Sequence, residues 1–528
     1  MIYYKVIRKF ILLLLITILL RCKDSKAPKD FFIPIFQENS NTFTSNYYSG
    51  IYSNDSIILE FSSRDEYLLK LICGNDTVIS KKNIHFKLRN LKPKLMFIPT
   101  TSKEYSSYTN NWQEPKGKFS SLQKIKLYQL KDNLIVDSMV FNYILGAHSK
   151  TEVPIVNLTI DSKDLFSADS GCYVPGNSFI KEKDQITGNF YKFKRRKQES
   201  HIEIINKENI YINGYYDFRI HGYITPLAPQ KSLRFYLKEK NILNQLLDLN
   251  HNVDKIILRS SYSGWGNEIF VDGLIANICK NLNVDVMSYH PVITYLNGEY
   301  WGVHGLRERM DLKSISNKYQ IKRNKLIDAD DKGYSKKSGY GKLNELLKLL
   351  KKNPKISYQK VAEKFEMKSL IDWFIIELYF QNTDWPCNNT FFWKKKKKKW
   401  NCVLIDMDAC IGSAKFNMFD FVLKDRSPAL GGVLISYFLN QEEFKTLFIS
   451  RANFLMKNHL SPKNLELQFL DLKNQFNPLV EEHYRRWNNK NGLKNYRKAL
   501  NRIELFCKNR SFHFKKNMND FFNSSLLQ

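Results

Sequence analysis

The chain has 528 residues, 43% of them hydrophobic and 14% aromatic, and a formal net charge of +30. That length predicts two or three domains, and the composition excludes a disordered or collagen-like chain. The charge excess suits nucleic acid, anionic lipid or phosphate-rich ligands, but Lys, Asn, Ile and Phe are abundant throughout and no compact Arg-rich arm is present, so nucleic acid is not the expected partner.

The first elements read as targeting. "MIYYKVIRKF" carries Lys5, Arg8 and Lys9, and the apolar run "ILLLLITILL" that follows is short for a membrane span. Residues 1–22 resemble a bacterial lipoprotein signal, with Cys22 as the lipidated residue and Leu19 at its usual place before it. Arg21 stands where that pattern has a small residue, and an uncleaved signal anchor is the alternative. Lys23-Asp24 resembles the surface-export signal of Bacteroidetes lipoproteins. The expected location is therefore extracytoplasmic, at the outer membrane or cell surface, with the membrane as a partner through the lipid anchor. The other seven cysteines are scattered without a CxxC pair, which argues against zinc. Their odd number argues against a full disulfide framework, and a single bridge near 387–410 is left open.

Residues 23–45 read as a polar tether. From 46 to 148, short runs such as "SIILEFS", "YLLKLIC" and "SMVFNYIL" between polar turns predict a small β-sandwich. "SLQKIKLYQLKDNLIVDSMVFNYIL" resembles the last hairpin of the Ig-like modules that precede catalytic domains in bacterial surface proteins. A second unit, 150–528, opens at "VPIVNLTIDSKDLFSADSGCYVPG". "EIFVDGLIANICKNL" (268–282) has helical spacing, and "HPVITYLNGEYWGVHGLRERMD" (290–311) reads as two strands about an Asn297-Gly298 turn. "MKSLIDWFIIELYFQN" (367–382) predicts a buried helix, and 430–525 is helical in pattern throughout.

Between those last two segments lies "QNTDWPCNNTFFWKKKKKKWNCVLIDMDACIG" (381–412). Phosphoryl transfer needs a carboxylate to orient the acceptor hydroxyl, an Asn and an Asp to hold Mg²⁺, and a lysine on the nucleotide phosphates. Asp384 precedes Asn389 by five residues, the spacing of a kinase catalytic loop. Asp406 and Asp408 follow the strand "NCVLI", so the hairpin of "TFFW" and "WNCVLI" would carry both oxygen sets to one end. The plainer alternative makes Asp384 a turn residue, with Asn388 and Asn389 beside it. Trp265, Trp301 and Trp385 are expected in the core, His221 in a structural turn, and Lys394–Lys399 at a solvated hairpin tip.

"VPIVNLTIDSKDLFSADSGCYVPG", "FRIHGYITPLAPQKSLRFYLK", "YLNGEYWGVHGLRERMD", "NTDWPCNN" and "IDMDACIG" occur in this order, and together they resemble the spore-coat protein H (CotH) kinase family from about 153 to 525. The resemblance implies an α+β, atypical protein-kinase-like fold with a helical C-terminal part, ATP and Mg²⁺ as cofactors, and phosphorylation of Ser or Thr in a protein substrate. It implies Asp384 as the catalytic aspartate and Asn389, Asp406 and Asp408 as metal ligands. Lys231, Arg219, Arg234 and Glu308 are implied as the nucleotide-contacting set. "YITPLAP" replaces a Gly/Ser-rich stretch of the family pattern, so a non-catalytic surface module binding a protein or glycan is the alternative.

Overall fold

In the computed structural model the structure describes residues 32–36, 43–63, 67–92, 117–147, 151–182, 185–222, 225–239, 243–261, 264–330, 340–353, 355–386, 388–425, 430–487 and 491–524. The leader through Cys22 lies outside them, as does Cys387. The expected tether does not stay outside the fold: Phe32–Pro34 and Phe43–Ser45 are already strands, each paired with a later one.

Two sheets share the first core. Ser56–Ser63, flanked by Phe43–Ser45 and Asn83–Arg89, faces a sheet that contains Leu68–Cys73, Ser121–Lys131 and Leu134–Leu145. Alternation in "SIILEFSS" sends Ile57, Leu59 and Phe61 inward, where they meet Leu71, Leu127 and Phe141. The second sheet does not stop at this layer. Ser121 pairs with Glu299, which joins it edge to edge to the strands of the second unit.

That junction is apolar and hydrogen-bonded. Ile35, Ile51, Phe119, Leu122, Ile144 and Ala147 belong to the same buried cluster as Tyr295, Tyr300 and Leu479. The Ser120 amide donates to Glu482 Oε1 at 2.8 Å, the Leu122 amide donates to the Gly298 carbonyl at 2.8 Å, and Lys124 Nζ reaches Glu203 at 2.6 Å. The Arg485 guanidinium lies 4.9 Å from the Phe119 ring centroid.

The second unit is built on antiparallel strands running Gln198–Ile205, Ile210–Ile220, Leu233–Tyr236, Lys255–Arg259 and Glu299–Glu308, hydrogen-bonded in that order. One face packs Phe218, Ile220, Leu233, Phe235, Ile256, Leu258 and Leu306 into a core with Trp265 and Trp301. Asn297 (φ 50°) and Gly298 (φ 83°) make the hairpin turn between His290–Leu296 and Glu299–Glu308. A four-stranded sheet holds Phe391–Lys395 and Asn401–Leu404 at its centre, and Lys395–Lys399 are exposed at its hairpin tip. The helix Met367–Phe380 runs beneath it, buried on nearly every side. Five helices from Leu430–Leu439 to Gly492–Ser524 close that side of the molecule. Cys402 and Cys410 are free, buried thiols.

Full burial of a large aliphatic or aromatic side chain contributes roughly 1.5–3 kcal/mol, and a domain's whole margin is about 5–15 kcal/mol. Truncation before residue 150 removes five such groups, and Ala147, from the junction and takes the Ser120 amide away from Glu482. A fragment 150–528 should therefore aggregate on expression, or melt well below the full chain. A soluble, monomeric fragment with an unchanged melting temperature would show that the junction contributes little.

Candidate active site

Strand register decides which side chains can meet. Arg219 lies opposite Arg234, Arg234 opposite Ile257, and Ile257 opposite Arg307, so these four share one row across the sheet. Arg259, two residues beyond Ile257, faces the same way, and Arg309 follows Arg307 at the same interval. His221 lies just past Ile220 on this face, and its Nδ1 is 2.7 Å from an Arg234 amino nitrogen. The result is a face carrying five arginines opposite the core, four of which, Arg219, Arg234, Arg259 and Arg309, act on one imidazole, while Arg307 is held by Asp272. Nε of Arg219 and Nε of Arg234 are buried with no hydrogen-bond partner among the described residues. Burial lowers the His221 pKa well below its ordinary value, and the neighbouring guanidinium groups of Arg234, Arg309, Arg259 and Arg219 lower it further, so the ring is neutral. Burial and the adjacent Arg309 and Arg219 bring Arg234 down to about 10, which leaves it charged near neutrality.

The same alternation removes two expected contacts. Lys231 shares parity with Leu233 and Phe235 and points to the core side, where it is fully buried. Its ammonium donates to the carbonyls of Pro226 at 2.6 Å and Ala228 at 2.9 Å, between the rings of Tyr173 and Phe190. Burial pulls its pKa down to about 7. Lys231 therefore secures the loop after Gly222 from within and does not share the arginine face. Glu308 shares parity with Leu306 and bonds His251 Nε2 at 2.8 Å, also away from that face. His221 lies at the turn after Ile210–Ile220, where its carbonyl accepts from Thr225 Oγ1, and its ring meets Arg234 on the arginine face.

The acidic side of the site comes from the 381–413 segment. Phe391 pairs with Val403, so the residues before one strand and after the other meet at one end of the hairpin. Asn389, at φ 62° and 4% exposed, donates from Nδ2 to the Asp406 carbonyl at 3.4 Å. Thr383 Oγ1 donates to the Ala409 carbonyl at 3.1 Å, and Gln381 both donates to the Ser413 carbonyl and accepts from the Gly412 amide. These bonds fasten the Asp384 turn to the Asp406–Asp408 turn. Trp385, fully buried against Trp373 and Phe374, anchors the first turn, and Asp384 is exposed beside it. The Asp384 amide donates to Asn382 Oδ1 at 3.2 Å, and Asn382 Nδ2 in turn donates to Glu377 Oε2 at 2.9 Å. Burial raises the Glu377 pKa to about 8, so this support is a neutral acid near pH 7.

Arg259 joins the two halves. One of its amino nitrogens reaches Asp406 and also lies 3.1 Å from Asp408, and its Nε lies 3.1 Å from Asp272. Asp272, at the start of the helix Val271–Cys279, also accepts from Arg307 and from the Met407 amide. Burial opposes the charge of Arg259, but Asp406, Asp272 and Asp408 together hold its pKa well above the ordinary value. The structure thus brings together Arg219, Arg234, Asn389, Asp406 and Asp408, adds Arg259, Arg307, Arg309, Asp272 and His221, and keeps Lys231 and Glu308 apart. Two of the added arginines were visible in "LRERMD" through alternation alone. Arg259 closes "KIILR" with no local sign of its role.

A charged contact to an anion is typically worth about 1.5–3 kcal/mol, or roughly tenfold or more in affinity. Arg234→Met should weaken tripolyphosphate binding, measured by calorimetry, by about tenfold. Lys231→Met should leave that affinity within about twofold and lower the melting temperature instead. Loss of anion affinity in Lys231→Met alone would put the lysine, and not the arginine row, on the ligand.

Comparison with known proteins follows this geometry. A search of curated proteins finds no match. Among solved structures, the crystal structure of a Helicobacter pylori proinflammatory kinase, CtkA, is similar at 13% identity, with 52% of this chain and 96% of that chain covered and a TM-score of 0.23. The family described as CotH kinase protein matches residues 218–513, a span that opens one residue before Arg219 and contains every site residue named above. The chain belongs to the CotH kinase family.

Proposed function

We propose that the chain is an extracytoplasmic, ATP- and Mg²⁺-dependent protein kinase that phosphorylates Ser or Thr of a surface or secreted protein. The observation that carries this reading is the arginine face set against the fastened turns of Asp384 and Asp406–Asp408. The residues fit the cofactors. Buried arginine Nε atoms without partners suit a phosphate chain, whose oxygens accept in the plane of a guanidinium. Two carboxylates and an amide, at Asp406, Asp408 and Asn389, are hard oxygen donors of the kind Mg²⁺ takes alongside phosphates and water. Among the described residues no group of three acidic, His or Cys side chains forms a metal cage, and Mg²⁺ sites on nucleotides rarely need one. Bound there, Mg²⁺ supplies positive charge against the developing charge of the transferred phosphoryl group.

The chain's own residues divide the remaining work. Arg219 and Arg234 hold the phosphate end by charge-assisted hydrogen bonds. Asp406 is 43% exposed at its side chain and Asp408 8%, so Asp406 is the more accessible carboxylate. Asp384, exposed and braced through Asn382, orients an acceptor hydroxyl and takes its proton. Enclosure of Lys231 favours a second reading, a non-catalytic, pseudokinase-type surface module that binds a protein or glycan partner.

Asp384→Asn should abolish phosphate incorporation and leave ATP·Mg²⁺ affinity within about threefold, because that carboxylate acts on the acceptor. Asp406→Asn should weaken binding itself by about tenfold or more, and Asp408→Asn by less. Binding lost in Asp384→Asn but kept in Asp406→Asn would reverse the roles. ATP binding by the unmodified chain without incorporation into any surface protein would favour the second reading. For location, the charged n-region and Cys22 support a lipid anchor. Cys22→Ser should release the chain from the membrane fraction, and unchanged retention would instead support an uncleaved anchor.

A further inference from the structure

We propose that Arg259 is a built-in counter-ion that is exchanged between the Asp406–Asp408 pair and the phosphates of the ligand, so that metal and nucleotide bind this site with strongly coupled affinities. The inference rests on the nucleotide reading above and adds to it a device that this reading does not require.

Its geometry is asymmetric. Arg259 ends the rigid strand Lys255–Arg259, and its side chain is only 14% exposed. One amino nitrogen contacts both Asp406 and Asp408, so the cation stands between the two carboxylates that a metal would use. Its Nε side rests on Asp272, and Asp272 has other donors, Arg307 and the Met407 amide. Asp272 therefore stays satisfied when Arg259 turns away. Arg219, Arg234 and Arg309 share the sheet face with Arg259, and all three act electrostatically on the same buried imidazole.

Charge then decides the order of stability. A divalent cation placed alone at Asp406 and Asp408 would displace Arg259 toward three further guanidinium groups, and the carboxylates nearby, Asp272 and Asp311, are already engaged by Arg307 and Lys255. Like charges brought together in a partly buried site repel strongly. A polyphosphate placed alone would meet the arginines but compete with Asp406 for Arg259. When both arrive, the phosphates take Arg259 and the carboxylates take the metal, and every charge has a counter-charge. Each ligand thus removes the obstacle to the other, which is positive coupling and must be reciprocal.

The test uses the full-length chain with Mn²⁺ and the non-hydrolysable analogue adenylyl imidodiphosphate. Free Mn²⁺ is read by electron paramagnetic resonance and the nucleotide by calorimetry, so no turnover is needed. In the parent chain the analogue should tighten Mn²⁺ binding by about tenfold or more, within the usual range of coupling between sites. In Arg259→Gln, Mn²⁺ alone should bind about tenfold tighter than in the parent, the analogue alone should bind more weakly, and the coupling should fall to about threefold or less. Arg259→Lys keeps one charge between the two carboxylates but loses the Nε side that rests on Asp272, so its coupling should lie between the two; it also serves if Arg259→Gln does not fold. Unchanged coupling in both variants, with both ligands still bound, overturns the exchange and leaves the kinase reading standing. A weaker Mn²⁺ affinity in Arg259→Gln overturns it as well, because Arg259 would then be shaping the metal site. Absence of both ligands from the parent chain overturns the nucleotide reading and this inference together.

Discussion

The site depends on one buried carboxylate. Asp272 is 3% exposed and receives Arg307, Arg259 and the Met407 amide, groups from three segments far apart in the chain. An ionised carboxylate at that depth is stable only when its lone pairs are taken by donors, and removal of one partner from such a pair typically costs about 3–5 kcal/mol. Here the partners are an ion pair from a strand end and hydrogen bonds from a second strand and a loop amide. The Met407 amide ties the Asp406–Asp408 turn to that carboxylate, and Arg259 ties the same turn to the sheet. Asp272 opens the helix Val271–Cys279, so its carboxylate also lies in the first turn, where negative charge is favoured.

Around this point the protein separates binding from bracing. The arginine face is a product of sheet register, and strands hold side chains more firmly than loops do. The acidic turns are loops, but they are sewn together by Thr383, Gln381 and Asn389 and pinned from below by Trp385 and the helix Met367–Phe380. Lys231 and Glu308 are charged residues used as internal braces. One satisfies the carbonyls of a loop, and the other holds His251. A buried charge with good partners is costly to disturb, so these two positions are sensitive to substitution although they do not lie on the arginine face.

The first sheet layer is part of the same construction. Its edge pairs with the strand that ends at Arg307 and Glu308, and Glu482 of the helical tail accepts from Ser120 across the junction. The N-terminal strands, the arginine-bearing sheet and the C-terminal helices therefore share buried surface, and strain or unfolding in the first layer bears directly on the strand that carries Arg307.

By itself the sequence determined the elements and the acidic half of the site. Helical spacing in "MKSLIDWFIIELYFQN", the Asn297-Gly298 turn and the hairpin about the lysine run are local signals, and they act through local backbone preferences. The meeting of Asp384, Asn389, Asp406 and Asp408 followed from one short hairpin, which is also local. The basic half was decided only by tertiary structure. Arg219, Arg234, Arg259 and Arg307 lie on four strands, with Arg309 just past the end of the last, and they converge because cross-strand register aligns them. Alternation within "KSLRF" and "LRERM" assigns Lys231 and Glu308 to the face opposite Arg234 and Arg307, but which face is core and which is site depends on the layer that packs against it. That layer, with Trp265, Trp301 and Phe218, is assembled from residues as much as 83 positions apart. Long-range packing of this kind leaves no mark in any one stretch of sequence, and so the convergence of the arginines, Arg259 among them, became legible only in the folded chain.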